Sequence, residues 1–111
     1  MPTPHYPPAA ALRALRKLGT DIHDARRRRH LPMSVVAERA FTSRATLQRV
    51  EAGDPRVGIG IYAAVLQALG LVEGLGDLAD FSQDRIGQAL ANAALPQRVR
   101  LPRTAARDSD G

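Results

Sequence analysis

The chain of 111 residues has no cysteine and no tryptophan. Without cysteine, disulfides and thiolate-bound metals are excluded. Aromatic residues make up only 4%. A core must then be built from Leu, Val, Ile and Ala, a diet that favours helices over sheets. No apolar run reaches the length that crosses a bilayer. The first residues lack the charged-then-apolar order of a secretory signal. A cytoplasmic protein without membrane attachment is therefore expected. Lysine is nearly missing as well: Lys17 is the single one among 16 cationic side chains.

What is present is arginine. It carries most of a net charge of +5. Arg is favoured over Lys where a planar fork meets phosphate or guanine. A small basic domain points to an anionic partner, with nucleic acid ahead of a membrane surface. The length suits one domain, and a 44% hydrophobic share is enough for a core.

The opening, "MPTPHYPP", is Pro-rich, and residues 1–8 are expected to be disordered, with Pro7 and Pro8 placed to begin a helix. Leu12, Leu15, Leu18, Ile22 and Ala25 recur at threes and fours, which predicts a helix from Ala9 to Arg29. Gly19 and Thr20 sit inside that pattern and weaken it locally, which leaves room for a break there. A short helix follows from Met33 to Ala40, with Val36, Ala37 and Ala40 inward. Ser43 suits the N-cap of a third helix, which runs to Ala52 and closes on Gly53. A fourth spans Ile59 to Leu69, with Ile61, Val65, Leu66 and Leu69 on its apolar side. Leu71, Leu75, Leu78 and Phe81 suggest a short fifth. Ser82 would cap a sixth, from Gln83 to Ala94, with Ile86 and Leu90 on one side. Beyond Pro96 the text is "QRVRLPRTAARDSDG", basic and then polar, and residues 96–111 read as a disordered tail. The fold class is thus all-α: a compact bundle of five to six helices between disordered termini, with residues 9–95 as the domain and its helical extension.

Two short helices joined by a three- or four-residue turn make a helix-turn-helix. Residues 33–52 fit that unit. Val36 packs between the two helices, and Ala37 must be small where the second crosses the first. Leu47 and Val50 pin the second helix inward. Arg44, Ala45, Gln48 and Arg49 are left facing outward. Such a face suits the major groove, where Arg reads guanine O6 and N7 and Gln reads adenine N6 and N7.

The stretch "LGTDIHDARRRRHLPMSVVAERAFTSRATLQRVEAGDP" resembles the Cro/cI-type (XRE) helix-turn-helix domain, over roughly residues 18 to 70. The pieces that carry the likeness are "AR", "VAERA", "SRATLQRVEAG" and "VLQALGL", in that order. The resemblance implies binding to double-stranded DNA, base reading by Arg44, Ala45, Gln48 and Arg49, and phosphate contacts from Met33 (through its N–H), Ser43 and Thr46. It also implies a structural ion pair between Arg26 and Glu51, and a homodimer on an inverted-repeat operator. Two positions depart from the pattern. Phe41 and Thr42 stand where Gly and an apolar residue are usual, so a positive φ at Phe41 would carry strain. Pro32 replaces the usual Ser or Thr cap, leaving that helix end to Met33 or Ser34. The combination "VEAGDPRVGIGIYAAVLQALGL", followed by a helical extension and "LPQRVR", resembles HipB-like antitoxins, which repress their own operon and bind a HipA-like kinase toxin.

Plainer readings stand beside these. Arg27 and Arg28, like Arg56, suit phosphate contacts, yet cations at a helix C-terminus also complement its dipole. His5, His23 and His30 lack metal-ligand spacing. Asp21, Asp24 and Glu38 have no nucleophile or Gly-rich loop beside them, so no enzyme and no cofactor are expected. The stripe from Leu71 to Leu90 is either core or a dimer interface. The alternatives to an antitoxin are an autonomous repressor, and a helix-turn-helix scaffold used only for protein contacts.

Overall fold

The structure, a computed structural model, describes residues 6–94. The expectations placed on residues 1–5 and on the basic stretch 95–111 lie outside them. All regular structure among the described residues is helical: α1 (Ala9–Arg28), α2 (Met33–Arg39), α3 (Arg44–Glu51), α4 (Ile59–Ala68), α5 (Val72–Gly76) and α6 (Arg85–Ala94), with a single 3-10 turn at Phe81–Gln83. None of these helices is long and apolar enough to cross a membrane. The chain divides into two units. The first runs to Leu78 and holds α1 to α5, and the second begins at Ala79 and holds α6.

In the first unit α3 packs against both α1 and α2, and α4 packs against α2. The contacts are made by Ile22 and Ala25 of α1, Val36 and Ala37 of α2, Leu47 and Val50 of α3, and Val65 and Leu66 of α4, all buried. Leu15, Leu18 and Ile61 border this core. Val57 and Tyr62 join it, although neither stood out in the periodicity.

α1 runs unbroken through Gly19 and Thr20, where the apolar pattern weakens. Gly19 is buried because the end of α3 crosses α1 at that point. A Cβ on Gly19 would stand 2.6 Å from the Gly53 nitrogen and 2.7 Å from the carbonyl oxygens of Val50 and Glu51. The glycine marks a close approach of two backbones, and the propensity cost of Gly inside a helix is offset by that contact.

Four of the helices end in the same way. The residue after the C-cap takes a positive φ, and two backbone N–H groups turn back to the last carbonyls, the Schellman arrangement. After α2 the Thr42 N–H donates to the Ala37 carbonyl at 2.9 Å and the Phe41 N–H to that of Glu38 at 3.1 Å. The positive-φ positions are His30, Phe41, Gly53 and Gly70. The turn between α2 and α3 therefore demands a left-handed residue at 41, and the residue there is Phe, at φ 56°. The residue is 95% exposed, so little packing offsets the strain. Phe41→Gly should accordingly stabilise the domain. Relief of roughly 1–2 kcal/mol of left-handed strain exceeds the 0.5–1 kcal/mol or so that Gly costs in chain entropy. A thermal melt should rise by a few degrees, and a lowered midpoint would show that the ring has a packing role.

The start of α2 corrects one expectation. Neither Met33 nor Ser34 caps it; Pro32 is the N-cap, and no side chain bonds the first N–H groups. The Pro32 carbonyl instead accepts from the N–H groups of Val35 and Val36. In the second unit, α6 is entered through Asp84, not Ser82: the Asp84 carboxylate accepts from the Gly87 N–H at 2.9 Å. Ser82 lies in the 3-10 turn, where its N–H and hydroxyl both donate to Asp80. A carboxylate accepts more strongly than a hydroxyl at a cap, and each Asp here takes the end nearest it. Of the stripe expected to be core or interface, Leu75 packs on the core of the first unit while Leu71 and Leu78 are exposed; in the second unit Phe81, Ile86 and Leu90 are exposed.

Candidate nucleic-acid interface

α3 is short, so its orientation depends on how its ends are held. At the start, Ser43 Oγ accepts from the Thr46 N–H at 3.1 Å, the N-cap bond that its position calls for. The Ser43 hydroxyl in turn donates to Thr46 Oγ1 at 3.0 Å. Its one proton is used inside the cap, and of these two phosphate candidates it is Thr46 whose proton remains for an outside acceptor.

The middle of α3 is one-sided. Leu47 and Val50 are fully buried, while Arg44, Ala45, Gln48 and Arg49 are exposed. The four residues picked as base readers thus lie together on the face turned away from α1 and α2. Met33, at the opening of α2, is half-buried, and Arg27, Arg28 and Arg56 are exposed.

Behind that face, Arg26 and Glu51 meet in a two-pronged pair. Arg26 Nε donates to Glu51 Oε2 at 2.6 Å and Nη2 to Oε1 at 3.1 Å, while Nη1 donates to the Leu31 carbonyl at 3.0 Å. One guanidinium so ties α1 to the end of α3 and to the chain entering α2. The fork matches the carboxylate in geometry as well as in charge.

The loop after α3 holds a group that sequence reasoning passed over. The side chain of Asp54 is mostly buried and receives four bonds. Oδ1 accepts from the Arg56 N–H at 2.8 Å and from Arg56 Nε at 3.2 Å. Oδ2 accepts from Arg56 Nη2 at 3.2 Å and from Arg49 Nε at 2.9 Å. The Arg56 side chain and backbone N–H, and then Arg49, hold the Asp54 carboxyl well below the usual carboxylate range. The backbone of the same residue is fixed too. Its N–H donates to the Arg49 carbonyl at 3.0 Å, and its carbonyl accepts from the Tyr62 hydroxyl at 2.8 Å. Burial pushes that phenol up. The signal was in "DPR": an Asp two residues before a free N–H is the start of an Asx turn. Arg49 and Arg56 are consequently anchored rather than loose, each through Asp54. Among the described residues no group of three His, Asp or Glu side chains is placed to hold a metal ion.

Comparison with family models, with curated proteins and with solved structures gives no match to this chain.

Proposed function

We propose that the chain is a sequence-specific binder of double-stranded DNA that represses transcription, with α3 as the recognition helix. The observation that carries this reading is the division of α3 into a fully buried side and an exposed side bearing Arg44, Ala45, Gln48 and Arg49. A charge of +5, Arg27 and Arg28 at the exposed end of α1, and Thr46 beside the cap support it, since cations and hydroxyls position a protein on phosphates. The reading includes a homodimer on an inverted repeat, for which the exposed Ile86 and Leu90 of α6 offer an apolar face. Its finer form, the antitoxin of a HipBA-like operon with a HipA-like kinase as partner, rests on the resemblance of residues 50–100 to HipB-like antitoxins. Co-expression with the product of the adjacent reading frame tests that finer form.

The test of DNA binding is selection from a randomised duplex pool, followed by titration of the selected site. A symmetric pair of half-sites is expected. Arg44→Ala and Arg49→Ala should each relax the preference at one base position by about 1–3 kcal/mol. Arg27→Ala should weaken all sequences alike and lower the salt dependence. Failure to enrich any sequence, or uniform losses for the two α3 variants, would overturn the assignment.

A further inference from the structure

We propose that Asp54 positions Arg49 for base readout, a role that rests on the reading of α3 as the recognition helix. The bond from Arg49 Nε to Asp54 Oδ2, at 2.9 Å, fixes the plane of the guanidinium. An arginine held at Nε keeps both terminal nitrogens for a bidentate contact, which is what guanine O6 and N7 require. The carboxylate is itself held by further bonds. Arg56 bonds it through its backbone and side chain, and Tyr62 anchors the carbonyl of the same residue from within the core. The chain from core to Arg49 is therefore Tyr62, the Asp54 backbone, the Asp54 carboxylate and the guanidinium. Fixing the long side chain before binding removes much of the rotamer entropy otherwise lost at the interface. A carboxylate at a surface that meets phosphates also lowers affinity for every sequence alike. Asp54 thus trades general affinity for discrimination at one base pair.

The experiment compares wild type, Asp54→Asn, Arg49→Ala and the double variant on duplexes that differ only at the base pair assigned to Arg49. In Asp54→Asn the side-chain oxygen still accepts from the Arg56 N–H, and an NH2 group faces Arg49 Nε, donor against donor. Discrimination at that pair should fall about tenfold, within the range of one bidentate contact. Binding to unrelated duplex should rise. In the Arg49→Ala background the same change should have no effect on discrimination, because the pair acts as a unit. In the protein without DNA, the Arg49 Nε–H resonance should show protection from solvent exchange in wild type and lose it in Asp54→Asn. Asp54→Ser, whose hydroxyl can hold the turn but not Arg49, is the second variant should Asn unfold the loop. Wild-type discrimination retained in folded Asp54→Asn, or an equal loss at every base pair with a lowered melting point, would overturn the positioning role. Wild type that prefers no sequence would instead overturn the reading of α3.

Discussion

Glu51→Ala is expected to lower the stability of the domain by about 3–5 kcal/mol, the cost of leaving one member of a buried ion pair alone. The side chains of Arg26 and Glu51 are only 10% and 8% exposed. Without the carboxylate, Arg26 Nε and Nη2 lose their protein acceptor, and only the bond to the Leu31 carbonyl remains. Against a total stability of roughly 5–15 kcal/mol for a natural domain, this loss is large. In a domain of this size it should move the thermal midpoint by more than about 10 °C. The joint replacement Arg26→Met with Glu51→Leu should recover much of it, because neither charge is then buried unpaired. The measurement is urea or thermal unfolding of the three variants. A loss below about 1 kcal/mol in Glu51→Ala, the range of an exposed pair, would contradict the burial described above.

The second large effect separates two glycines that share a conformation. Gly53 and Gly70 both close helices with positive φ, at 72° and 78°. Around Gly70 an added Cβ meets nothing within 4 Å, whereas at Gly53 it would stand 2.5 Å from the Leu15 carbonyl oxygen and 2.6 Å from the Arg16 Cα. Gly70→Ala should therefore cost only left-handed strain, about 1–2 kcal/mol. Gly53→Ala adds a collision with main-chain atoms that no rotamer change relieves, about 1–3 kcal/mol more. Denaturant midpoints of the two variants decide the matter. Equal losses would mean that α1 and α3 are not in backbone contact.

The all-helical architecture and the buried side of α3 were legible in the chain, because period and capping chemistry are local. Leu47 and Val50 lie three apart behind a Ser cap, and no distant residue is needed to place them inward. Three features were not legible, each for want of knowing what lies opposite. Gly19 looks like a weak point in a helix until the carbonyls of Val50 and Glu51 are known to press on it. Tyr62 stays hidden in an apolar run because its significance is a hydroxyl aimed at a loop carbonyl. Asp54 looks like an ordinary turn residue, and its hold on Arg49 depends on the path of the chain back past α3. Ser82 misled for a related reason. Two aspartates flank it, and the competition among three cap formers is settled only by the route into α6.

The meeting of Gly19 with the end of α3 has a consequence for how such a protein diverges. The tilt of α3 is set where two main chains touch, and main-chain atoms are the same whatever the neighbouring side chains become. Arg44, Ala45 and Gln48, on the opposite side, take no part in that seating. Their codons are accordingly free to drift or to be randomised together while the angle at which α3 is offered stays constant. The exposed side of α3 can thus be rewritten a few letters at a time, without first reinventing the scaffold that carries it.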